Sequence, residues 1–102
     1  MIEFSQGDII KISGFKNKFM IVSKNSFIKA TNVFHVCPII EGNHEGPIHI
    51  FVEAKNSIKG TVICEQMKLI DPAARACSKL DHIPYDMIMN VSDAIQGIFE
   101  YD

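Results

Sequence analysis

The chain has 102 residues, 47% of them apolar and 22% charged. That balance excludes a disordered chain, and the length fits one domain with a small core. Its 10 basic and 12 acidic residues give a net charge of −2, which excludes a global footprint for nucleic acid and leaves only a local patch.

In chain order, Asp8–Ser13 (DIIKIS) is apolar with one charged interruption and predicts a first strand. Gly14–Lys18 (GFKNK) supplies a turn. Phe19–Ser23 (FMIVS) follows as a second strand, and its unbroken apolar run predicts cover on both faces. Lys24–Thr31 (KNSFIKAT) reads as a polar connection anchored by Phe27. Val33–Ile40 (VFHVCPII) predicts a central strand, with Pro38 marking an edge, a bulge or its termination. Glu41–Pro47 (EGNHEGP) is the clearest loop. Ile48–Glu53 (IHIFVE) returns as a strand, Ala54–Lys59 turns, and Gly60–Cys64 (GTVIC) is a short strand that Leu69–Ile70 extends. Asp71–Pro72 joins an N-cap to a proline at the first helical position, so Ala73–Ala76 predicts one short turn. Over Pro84–Tyr101, Met87, Ile88, Val91, Ala94, Ile95, Ile98 and Phe99 draw one apolar stripe of helical period. Together these elements predict a single α+β domain over residues 1–102. Five short, mostly antiparallel strands form a barrel-like sheet, against which a C-terminal amphipathic helix packs.

Cys37, Cys64 and Cys77 are odd in number, far apart and without a CxxC pair, so buried reduced thiols are expected. The N-terminus has an acid where a secretory signal needs bases, and no apolar run approaches the ~20 residues that cross a bilayer. A soluble, cytoplasmic protein with no membrane partner and no cofactor is expected.

His35, His44, His49 and His82 lack the spacing that sets two imidazoles on one metal, and no metal site is expected. His35, inside an apolar strand, reads as a hydrogen-bonded core histidine rather than a catalytic base. His44 lies in the loop beside Glu45, open to a ligand or to solvent alone. Lys16–Asn17–Lys18 is a compact donor cluster, either a phosphate cradle or an ordinary polar turn. Glu65 ends a buried strand, either as a general base with a raised pKa or as an ion-pair partner of Lys18 or Lys68.

Gly60–Asp71 (GTVICEQMKLID) resembles the MazF/PemK family of toxin–antitoxin ribonucleases, which carry G-x-V-x-x-[DE]-Q and then basic-x-[IV]-D. Ala73–Arg75, Ile83–Pro84 and Met87–Val91 follow in the family's register. Upstream, Gly7–Asp8 is similar to its opening motif, with Gln6 in place of arginine. Lys29–Ala30–Thr31 and Val36–Cys37–Pro38–Ile39 resemble its NRAT…VVCPIT region. The resemblance implies an SH3-like, CcdB-like antiparallel β-barrel with a C-terminal helix. It also implies a homodimeric toxin that cleaves single-stranded mRNA without metal and pairs with a cognate antitoxin. Lys18 and Glu65 then become the catalytic candidates, with Lys16, Asn17 and His44 as RNA contacts.

The departures from the family fall where the chemistry would be. Lys18–Phe19 stands where Arg-Pro is expected, Ile40 replaces a strand-terminal threonine, and Ile63-x-Glu65 replaces an Arg-x-Asp pair. Metal-independent RNA cleavage needs a base for the 2′-OH, an acid for the 5′-oxygen and cationic donors for the phosphate. Isoleucine supplies none of these, and lysine keeps arginine's charge without its bidentate fork. A second expectation therefore stands beside the first: a degenerate binding module on the same fold, such as an inhibitor of a larger enzyme.

Overall fold

The apolar runs of the sequence become the middle of one antiparallel sheet. The computed structural model describes residues 3–102. Its strands are β1 (Asp8–Ile12), β2 (Lys18–Ile21), β3 (Phe34–Ile40), β4 (His49–Glu53), β5 (Lys59–Ile63), β6 (Lys68–Ile70) and β7 (Cys77–His82). Two helices, α1 (Asn25–Thr31) and α2 (Tyr85–Ile98), complete the fold.

The strand order is β4-β5-β3-β2-β1-β7, with β6 also paired to β3. β3 is central, as its two-sided apolar character predicts. β2 runs along one edge, while β5 pairs at Ile39–Ile40 and β6 at Phe34–Val36 on the other. Among the described residues β4 and β7 do not pair, so the sheet curls without closing and is a barrel only approximately.

Alternation gives the two faces separate cores. Ile9, Met20, Cys37, Val62 and Val52 form one, beneath Ile88 and Val91 of α2. Ile10, Ile12, Phe19, Ile21, Phe34, Val36 and Ile70 form the other, on the opposite face of the sheet. Full burial of each large apolar side chain stabilises by about 1.5–3 kcal/mol. Gly60 is fixed by packing: a Cβ there would run into the Ile40 carbonyl oxygen on β3. Cys37 and Cys64 are buried and unbonded, and burial pushes their thiols up to about 12 and about 11.

Seven strands replace the expected five. β7 escapes the pattern because Ser78, Lys79 and Leu80 are exposed, as an edge strand permits. β6 does not prolong β5. Its partner is β3, and residues 64–67 leave the sheet between them, with Gln66 N–H donating to the Ile63 carbonyl at 3.2 Å. The connection at Lys24–Thr31 contains a helix instead. α1 buries no residue fully, stacks Phe27 near His35 at 5.2 Å and stops at Asn32, whose φ of 60° is left-handed. So short and exposed a helix leaves no readable period. The turn at Ala73–Ala76 is present, with Ala73 N–H donating to Asp71 Oδ1 at 2.9 Å. α2 ends at Ile98, three residues before the predicted limit.

β7 is clamped to β1 through a buried carboxylate. Asp8 is 1% exposed, and it accepts from Ser5 N–H (2.8 Å), His82 Nδ1 (2.8 Å) and Lys79 Nζ (3.1 Å). A register shift beside Ile9–Ile10 leaves Leu80 unpaired, which turns Lys79 onto the same face as His82. Asp81 faces the other way and accepts N–H bonds from Asn56, Ile58 and His82. Burial raises its carboxyl, and those bonds outweigh it, holding the group below the usual range. A cleft of about 430 Å³ lined partly by Lys55 and Lys79 opens beside this clamp.

Candidate active site

The loop after β3 folds back on the sheet before β4 begins. His44 N–H donates to Thr61 Oγ1 at 2.8 Å, and that hydroxyl donates to the Gly42 carbonyl at 2.7 Å. Gly46 and His49 then exchange two backbone bonds, of 3.0 and 3.2 Å. This tight return sets His49 at the first position of β4, opposite Ile63 of β5. Just beyond, Cys64 N–H donates to the Ile48 carbonyl at 3.1 Å, and the turn out of β5 presents Glu65 to the same place.

The result is an imidazole–carboxylate pair. His49 Nε2 lies 3.0 and 2.9 Å from the two Glu65 oxygens, with side chains 34% and 41% exposed. The His49 hydrogen bond, helped by Glu65's own backbone N–H, holds the Glu65 carboxyl below its ordinary range. The raised-pKa expectation for Glu65 is therefore corrected: its carboxylate is stabilised as the anion. Its partner is His49, not Lys18 or Lys68.

The other sequence-derived candidates lie elsewhere. Lys18 is exposed at the start of β2 and pairs with Ile39, which in turn pairs with Val62. That row lies on the α2 face, whereas His49 and Ile63 occupy the opposite face of β4 and β5. Lys18 is thus two strand spacings (about 9.5 Å) from β5, and on the other side of the sheet. The structure does not bring it to Glu65. Lys16 and Asn17 are exposed at the hairpin tip. His44 turns its ring back onto the Glu41 carbonyl, 3.0 Å from Nε2, and serves as a loop strut. His35 is the hydrogen-bonded histidine expected of it, with Nδ1 2.8 Å from Ser23 Oγ.

Two basic residues share the dyad's face: Lys68, which the sequence offered only as an ion-pair partner of Glu65, and Arg75, which it did not single out as a site residue. Arg75 is the chain's single arginine, and it lies over the Phe15 ring at 4.9 Å while donating to the Ser13 carbonyl at 3.2 Å. Lys68 approaches the same ring at 5.9 Å. Lys11, Lys16 and Lys18 belong to the hairpin that carries Phe15, but Lys11 and Lys18 are register partners on the α2 face, and none of the five is ion-paired among the described residues. Arg75 and Lys68 bring positive charge to the dyad's face of a chain of net negative charge. Among the described residues, no group of three or more His, Cys, Asp or Glu is placed to hold a metal ion. Among the described residues, no helix is long and apolar enough to cross a membrane.

A family model described as PemK-like, MazF-like toxin of type II toxin-antitoxin system matches residues 5–99. The chain belongs to the PemK/MazF toxin family. Solved structures agree on the fold. The MazE–MazF complex from Deinococcus radiodurans superposes with a TM-score of 0.81 at 16% identity, covering 96% of this chain and 97% of that one. An endoribonuclease bound to its cognate antitoxin, from a mycobacterial species, gives 0.80 at 12%, covering 98% and 100%. A toxin from Mtb gives 0.64 at 16%, covering 89% and 99%. Sequence comparison with curated proteins finds no match. For a PemK/MazF member, His49 was legible only as a polar break in an apolar strand, and Arg75 only as the sole arginine.

Proposed function

We propose that this toxin is a metal-independent endoribonuclease that cleaves single-stranded mRNA, acts as a homodimer and is neutralised by a cognate antitoxin. The observation that carries this reading is the exposed His49–Glu65 pair on the sheet face that also bears Arg75 and Lys68. Such a surface supplies proton transfer beside cationic donors for a phosphate. Lys16, Asn17 and Lys18 extend the positive hairpin as backbone contacts, and His44 shapes the loop that seats His49. Phe15 adds an aromatic face near the basic groups, an arrangement suited to single-stranded nucleic acid. Tyr85 and Met89 on α2 and Phe99 just beyond its end are exposed and furnish the apolar surface for dimerisation. An antitoxin partner is supported by the relatives solved with theirs.

A second reading, a binding module that has lost cleavage, is favoured by Ile63. It is buried where an arginine is expected, and it offers a phosphate nothing. Incubation of pure protein with a long mixed-sequence RNA in the presence of a chelator separates the two. Discrete fragments ending in cyclic phosphate are expected. Intact RNA at micromolar protein would leave the binding module as the better account. A concentration-independent monomer in sedimentation would remove the homodimer.

A further inference from the structure

We propose that His49 is the residue that exchanges protons with the RNA, and that Glu65 acts through it as a positioning residue. This inference rests on the ribonuclease reading and concerns the same site. Both Glu65 oxygens point at one ring nitrogen, 3.0 and 2.9 Å away. A carboxylate so engaged is ionised near neutrality and has little affinity left for a substrate proton. It fixes the ring instead, much as carboxylates orient catalytic imidazoles elsewhere.

With Nε2–H given to Glu65, the neutral ring carries its lone pair on Nδ1. That nitrogen has no hydrogen bond among the described residues. It lies beside Gly46, where an added Cβ would be 3.7 Å away, an ordinary contact, and the His49 side chain as a whole is 34% exposed. Glu65 is also the one charged side chain within ion-pair distance of His49 among the described residues. In the reaction, the 2′-OH gives its proton to His49 Nδ1, its oxygen bonds to phosphorus, and the P–O5′ bond breaks. The leaving O5′ takes a proton from solvent, so the products are a 2′,3′-cyclic phosphate and a 5′-hydroxyl end.

The full-length protein and a long mixed-sequence RNA provide the test, read as initial cleavage rate against pH. His49→Ala is expected to lower the rate about 100-fold or more, the scale of a lost acid–base group. Added imidazole should restore part of it. His49→Gln should show the same loss with an unchanged melting temperature, which separates chemistry from folding. Glu65→Gln should cost less than His49→Ala and alter the acidic limb of the profile, because the ring loses the acceptor that fixes its orientation. His49 variants that cleave at the parental rate would overturn the proposal. So would a Glu65→Gln variant as inactive as His49→Ala with an unmoved limb, since Glu65 would then be the base. A parent that cleaves nothing removes the ribonuclease reading and this inference with it. A parent that cleaves beside indifferent His49 variants removes this inference alone.

Discussion

Two histidine–carboxylate pairs sit on the same sheet, and they differ in what surrounds the acid. At the β4–β5 end, His49 and Glu65 are both about one-third to two-fifths exposed. Between β1 and β7, His82 is similarly exposed, but its partner Asp8 is only 2% exposed at the side chain and also holds Lys79 and Ser5. A buried acid with several donors is structural, because losing it strands its partners. An exposed acid with one side-chain donor contributes little to stability, which leaves it available for the proposed chemistry. The same imidazole–carboxylate pairing thus stands in two environments, and burial of the acid is what separates them.

That comparison can be broken at several points. Asp8→Ala should have the largest effect on stability, about 2–3 kcal/mol in urea unfolding. The figure stays below the most severe cases because Lys79 and His82 reach water. A loss under about 1 kcal/mol would make the two pairs equivalent. On the working side, Arg75→Ala should cut RNA cleavage about 100-fold, or about 2.7 kcal/mol of transition-state stabilisation. Its stability cost, from one carbonyl bond and contact with Phe15, should not exceed about 1 kcal/mol. Lys18→Ala, on the far face, should lower cleavage only about 10-fold, as for a peripheral phosphate contact. The reverse ranking would return Lys18 to the centre of the site.

Smaller effects sharpen the contrast further. Asp81 has a folded pKa below its ordinary value, so the unfolded chain binds its proton first as pH falls. Its contribution is therefore complete above about pH 3.9, the ordinary aspartate value, and is lost as pH drops through the folded one. The urea midpoint should fall on acidification, and Asp81→Asn should flatten that fall. The smallest effect belongs to Glu65→Gln, whose melting temperature at neutral pH should match the parent. A clear drop would mark the exposed pair as structural after all.

Much of the fold was legible because β1 to β5 are apolar runs separated by turn residues. β7 was not, since an edge strand with Ser78, Lys79 and Leu80 in solvent needs no hydrophobic signature. The site was half legible. Glu65 stands out as a carboxylate at a strand end, but its partner is 16 residues away and arrives through the β4–β5 register. No local pattern encodes that meeting. Lys18 drew attention as a charge in an expected place, yet strand alternation sends it to the α2 face. Arg75 comes to Phe15 only because β7 returns beside β1, a pairing that spans most of the chain.

The position of β3 governs the order in which this molecule can assemble. The β1–β2 and β4–β5 hairpins are local and can zip early, but each must dock on β3 from an opposite edge. The positive hairpin travels with one and the His49–Glu65 pair with the other. Arg75 joins only when the last strand closes on β1. A nascent or partly opened chain therefore carries the parts of the site without their arrangement. Amide exchange should be slowest in β3 and faster in β4, whose outer edge meets no further strand among the described residues. On the proposed ribonuclease reading, the site would be assembled only once β7 has closed on β1.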